Sequence, residues 1–65
     1  MAKFETNRSK VVARLEREGW KLRHGGNHDV YQNARWPDRA AVVPRHRTLS
    51  PGVARQIAKA ANWKD

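Results

Sequence analysis

The 65-residue chain predicts a small α+β domain in the order helix, three antiparallel strands, helix. Three observations predict it. Apolar residues recur at helical spacing near each end, in segments that open on capping residues. Between them lie three short stretches suited to strands. Turn-forming clusters, Gly25-Gly26-Asn27 and Trp36-Pro37-Asp38, separate those strands. So short a chain is a single domain over residues 1–65, and residues 1–6 are expected to be a flexible leader.

Asn7 or Ser9 can cap the first helix, since either side chain accepts a bond from an otherwise unpaired amide. Lys10 to Glu18 then reads as helix. Val11, Val12 and Leu15 share one face, and Arg14, Arg17 and Glu18 lie mostly elsewhere. Gly19 follows, the residue best suited to a left-handed helix end. Trp20 to His24 alternates apolar and polar, as a half-buried strand does. Gly25-Gly26-Asn27 tolerates positive φ and predicts a hairpin turn. His28 to Asn33 is the second strand. Alternation alone leaves open whether Val30 or Tyr31 is buried, and His28 shares the side of Val30.

Ala34 to Arg39 reads as a second turn. Ala40 to Val43 is a third strand, ended by Pro44, and Arg45 to Leu49 is a polar connection. Ser50-Pro51 opens the second helix, because proline's missing amide costs nothing at the first helical position. Leu49 can pack back on Val53 or Ala54. Val53, Ile57, Ala60 and Ala61 form its apolar stripe. The helix ends near Ala61 or Asn62, and Trp63 folds back on the core. Three strands cannot bury a face alone, so both helices are expected on one side of the sheet. That is the α-β-β-β-α layout of double-stranded-RNA-binding domains, and a layout alone does not give a function.

Fourteen Lys and Arg stand against six Asp and Glu, a formal net charge of +8, and nine of the fourteen are arginine. Arginine's planar fork matches phosphate oxygens. Such a balance points to a polyanionic partner. There is no cysteine, so neither a disulfide nor a zinc-thiolate site is available. No apolar run reaches the ~20 residues of a membrane span, and no signal peptide is expected. The expected location is the cytoplasm, with no membrane partner. Gly25-Gly26 lacks the lysine of a phosphate-binding loop, and three histidines are too few and too oddly spaced for zinc. No cofactor is expected.

His28 is the strongest candidate for chemistry. The turn before it delivers the ring to a strand mouth, and histidine exchanges a proton near neutral pH. Val43-Pro44-Arg45-His46 begins fifteen residues further on. Lys21 and Arg23 should point to the open side of the sheet, opposite Trp20 and Leu22. With Arg45, His46 and Arg47 they are candidate phosphate contacts, and so are Arg35 and Arg39. His24 or His46 could protonate a leaving oxygen; either could be a solvated surface residue. Asp29 sits beside His28 but faces the other way. Trp36 could stack a base, contact a partner or cover the core.

The chain resembles the HicA toxins of bacterial toxin–antitoxin pairs. The resemblance runs from Ser9 to Trp63. Its pieces are Val12-Ala13-Arg14-Leu15-Glu16 ending in Gly19-Trp20, then Gly26-Asn27-His28, then Val43-Pro44-Arg45-His46, then Gly52 with Arg55, Ile57 and Lys59. The resemblance implies a ribosome-independent mRNA endoribonuclease, mRNA as substrate, and a HicB-type antitoxin as partner. It places the family's catalytic histidine at His28. Rival readings are a non-catalytic RNA-binding module of the same fold, and a basic adaptor that docks an acidic protein.

Overall fold

The computed structural model describes residues 4–64, leaving aside the side chain of His24. Helix α1 (Arg8–Arg17) is followed by strands β1 (Lys21–Gly25), β2 (His28–Asn33) and β3 (Trp36–Pro44), then helix α2 (Pro51–Ala61). The strands pair antiparallel in the order β1-β2-β3. The α+β order is the one expected.

Helix α1 begins two residues earlier than its apolar spacing suggests. The Asn7 side chain accepts from the Lys10 amide at 3.2 Å, so Arg8 is already helical. At the other end Gly19 has φ +96°, and the amides of Gly19 and Trp20 donate to the carbonyls of Glu16 and Leu15. These two bonds satisfy carbonyls that would otherwise lack partners. Helix α2 repeats the device. Ser50 accepts from the Val53 amide at 3.2 Å. At its end Asn62 takes φ +62°, and the amides of Asn62 and Trp63 donate to Lys59 and Ala58. In both motifs a tryptophan follows the left-handed residue.

The core gathers Val11 and Leu15 from α1, Tyr31, Ala41 and Val43 from the sheet, and Ile57 and Ala61 from α2. Trp20 and Leu49 join it from the connections. Both helices therefore cover one face of the sheet. The pattern in β2 decides between Val30 and Tyr31. Asp29, Tyr31 and Asn33 face the helices, while His28, Val30 and Gln32 look away.

Two expectations are corrected. Strand β3 starts at Trp36, not Ala40, and the second turn is only Ala34-Arg35. Trp36 pairs with Asn33, Ala40 pairs with Gln32, and Pro37-Asp38-Arg39 bulge between them. The cause is tertiary: Trp36 lies over Trp20, with ring centroids 6.1 Å apart and planes 27° apart. Pro37 is tolerated because β3 is an edge strand. Second, Leu22 is 52% exposed. The register slips between Leu22 and His24, which leaves Arg23 as an extra residue on the edge strand. The connection from Arg45 to Leu49 is polar, as expected, and it is tied down. Asn7 and Thr48 form an antiparallel bridge, and the Leu49 amide donates to the Thr6 carbonyl at 2.7 Å. Of the expected leader, residues 1–3 lie outside the described residues. No helix among the described residues is long and apolar enough to cross a membrane.

Candidate functional site

His28 is the first residue of β2, exposed on the face the helices leave open. Its Cα partner in the ladder is Pro44, the last residue of β3. The hairpin turn on one side and the start of the Arg45–Leu49 segment on the other therefore meet at this end of the sheet, its mouth.

Asp29 turns to the opposite face and is only 8% exposed. A carboxylate there needs compensating charge. Its Oδ2 accepts from Arg8 Nη2 at 2.6 Å, and its Oδ1 accepts from Arg45 Nε at 3.0 Å, with Arg45 Nη2 at 2.9 Å. Arg8 Nε also donates to the Pro44 carbonyl at 2.8 Å, and the Arg8 amide donates to the Arg47 carbonyl at 3.1 Å. The Arg8 pair is the more enclosed, since the Arg45 side chain is 53% exposed. Two guanidiniums against one carboxylate leave a surplus positive charge.

The helices add to it. Helix α1 starts beside Arg47, and α2 starts just after Leu49. Their far ends also meet, where Trp63 Nε1 donates to Glu18 Oε1 at 2.7 Å. The two helices thus run side by side with both N-termini at the mouth. Neither first turn carries an acidic residue, although Glu5 ahead of α1 accepts from the Asn7 amide at 3.1 Å and partly offsets the positive end of that helix dipole.

The remaining candidates fall into two groups. Arg45, His46 and Arg47 are exposed at the mouth. Lys21 and Arg23 border a concavity of about 570 Å³ with Gln32, Asn33, Ala34 and Pro37. Lys21 pairs with Gln32, four residues along β2 from His28, or about 13 Å at strand spacing. The structure therefore sets Lys21 and Arg23 along the open side of β1, and does not gather them around His28. The His24 side chain lies outside the described residues; its Cα pairs with Val30. Trp36 covers the core, with the guanidiniums of Arg35 and Arg39 at 5.3 and 6.0 Å from its ring centroid. That position takes both cations away from the mouth.

Tyr31 is buried beneath the mouth. Burial pushes its phenol above the usual tyrosine range, the charges of Asp29 and Glu16 add to this, and Arg8 opposes it. Arg8 is the residue that sequence reasoning missed. A signal existed: once Tyr31 is inward, Asp29 is inward too, and a carboxylate on a core face calls for a cation.

A family model described as the HicA toxin of bacterial toxin–antitoxin pairs matches residues 8–63. No curated protein and no solved structure matches the chain significantly. The family match begins on Arg8, takes in the mouth, the whole sheet and both helices, and ends on Trp63. By that match the chain belongs to the HicA toxin family.

Proposed function

We propose that this toxin is a ribosome-independent mRNA endoribonuclease that needs no metal ion, with His28 as the general base. The observation that carries the reading is the place of His28: exposed, on the open face, at the same end of the sheet as the Arg8–Asp29–Arg45 cluster and the helix N-termini, which lie on the covered side. A neutral imidazole there takes the proton from a ribose 2′-hydroxyl. The freed oxygen attacks the neighbouring phosphorus, and the bond to the 5′-oxygen breaks as that oxygen gains a proton. The products are a 2′,3′-cyclic phosphate and a 5′-hydroxyl. The nucleophile comes from the substrate itself, so the step requires a base, an acid and charge stabilisation. Arg45, His46 and Arg47 supply positive charge near the phosphate. Lys21 and Arg23 hold the strand further along the open side.

A HicB-type antitoxin neutralises the toxin by covering His28 and the cationic mouth. Opposite charge would speed that capture. In the inhibited complex His28 is expected to lose its solvent access.

The test is cleavage of RNA by the purified chain in EDTA. Activity should persist there, and His28→Ala should reduce it by roughly 10²–10⁴-fold, the range for a lost acid–base group. Because His28 is exposed, the thermal midpoint should not move. Salt-sensitive RNA binding without any cleavage would favour the non-catalytic RNA-binding module. Full activity in the variant, or its loss in EDTA, would sink the mechanism.

A further inference from the structure

Asp29 is out of character where it stands. It is an inward carboxylate at the mouth of a chain with formal net charge +8. A negative charge at that place repels phosphate. It cannot orient His28, because neighbouring residues of a strand face opposite ways. Its bonds run instead to Arg8 and Arg45.

We infer that Asp29 is a positioning residue for RNA binding, which holds the Arg45 guanidinium in place for a phosphate at the mouth. The inference rests on the proposal that the mouth binds RNA. Arg45 meets Asp29 Oδ1 with Nε and Nη2, and no described contact engages its Nη1. One edge of the fork is thus spent on the protein, and the other is free in a side chain that is half exposed. A guanidinium already held still loses less freedom when a phosphate arrives.

The other half of the clamp sets the backbone. Arg8 binds Asp29 with Nη2 and the Pro44 carbonyl with Nε. Pro44 precedes Arg45 and is the ladder partner of His28. One buried carboxylate therefore ties the residue beside the histidine to the residue that opens the cationic segment. The surplus positive charge of the cluster outweighs the repulsion that Asp29 contributes alone.

The experiment is a double-mutant cycle on affinity for a short RNA with 2′-O-methyl groups, which binds but cannot cleave itself. Asp29→Asn keeps the volume and one oxygen but removes the charge. Asp29→Asn and Arg45→Ala should each weaken binding about tenfold, the scale of one lost charge-assisted bond. The double variant should lie within about twofold of Arg45→Ala alone, since coupled residues are not additive. If Asp29→Asn binds as well as the parent or tighter, the carboxylate only repels RNA and the inference is wrong. Losses that multiply in the double variant overturn it as well, because Asp29 then acts without Arg45.

If Asp29→Asn does not fold, Arg45→Lys decides, because it keeps the charge and loses the fork. It should bind nearly as weakly as Arg45→Ala; parent-like affinity overturns the inference. The Arg45 Nε–H signal of the unmodified chain should exchange with water more slowly than that of Arg23; equal rates overturn it too. Binding of the methylated RNA is read without cleavage, so the two proposals fail separately. Cleavage that does not depend on His28 sinks the nuclease mechanism, and an additive cycle sinks the role of Asp29.

Discussion

At the mouth, one carboxylate holds two arginines, and much of Arg45 remains in water. At the opposite end of the sheet, Trp20 lies on Trp36, and Trp63 bonds Glu18 while the Arg14 guanidinium sits 4.2 Å from its ring centroid. The mouth is joined by charge and the far end chiefly by buried rings. The pair with half-exposed Arg45 contributes roughly 0–1 kcal/mol, whereas a buried aromatic contributes several; the enclosed Arg8–Asp29 pair is the one part of the mouth that also matters for folding. The difference teaches where the molecule keeps its stability and where it keeps its reactive groups. Changes at the far end should cost folding, and changes at the mouth should cost activity.

The most severe test of that division is Trp20→Ala. Loss of a buried tryptophan costs about 3–5 kcal/mol. A chain this small holds roughly 3–5 kcal/mol in total. The variant should be largely unfolded at room temperature by circular dichroism, and a sharp native transition would break the comparison. Trp63→Ala is the milder counterpart. It removes a bond to a carboxylate and a ring beneath a cation, about 1–3 kcal/mol together. Its thermal midpoint should fall while RNA affinity at low temperature stays at the parent value.

Lys21→Ala combined with Arg23→Ala probes the open side of β1. Each phosphate contact to single-stranded RNA adds about 0.7 to the salt slope of binding. The pair should flatten that slope by about 1.4 if both contact phosphate. The thermal midpoint should barely change, as both residues are exposed. An unchanged slope would confine RNA binding to the mouth.

The smallest effect concerns Tyr31, the one tyrosine in the chain, so that phenolate absorbance reports it alone. Its folded pKa is raised above the unfolded value, first by burial and then by Asp29 and Glu16. The stability linked to it is therefore fully present below the ordinary tyrosine range. It is lost as pH rises through the folded value. Asp29→Asn removes one raising charge, so the phenol should titrate at lower pH in that variant. An unchanged titration would mean that the Asp29 charge does not reach the phenol.

Much of the fold was legible because its signals are local. Strand β2 runs from His28 to Asn33 as expected, bounded by Gly26-Asn27 before it and Ala34-Arg35 after it. Ser50-Pro51 marks the start of α2 for reasons contained in those two residues. The misreadings are long-range. Trp36-Pro37-Asp38 has the local chemistry of a turn, and only the ring of Trp20 draws Trp36 back into the sheet. Nothing near Arg23 announces that it is the extra residue of β1. For the candidate site, alternation linked His28 to Val30, and the side they share became clear only once Tyr31 was seen to be buried. The partners of Asp29 lie 21 residues earlier and 16 residues later in the chain, beyond the reach of any local pattern.

The bond from the Leu49 amide to the Thr6 carbonyl has a practical consequence. It brings the entry to α1 alongside the mouth, while the exit past Trp63 leaves beside Glu18 at the opposite pole. A fluorophore, affinity tag or carrier joined ahead of Thr6 would crowd whatever approaches His28. The same attachment after Trp63 would stand the length of the sheet away. Toxicity or binding assays run on the two fusions would then disagree, with the polypeptide itself unaltered between them.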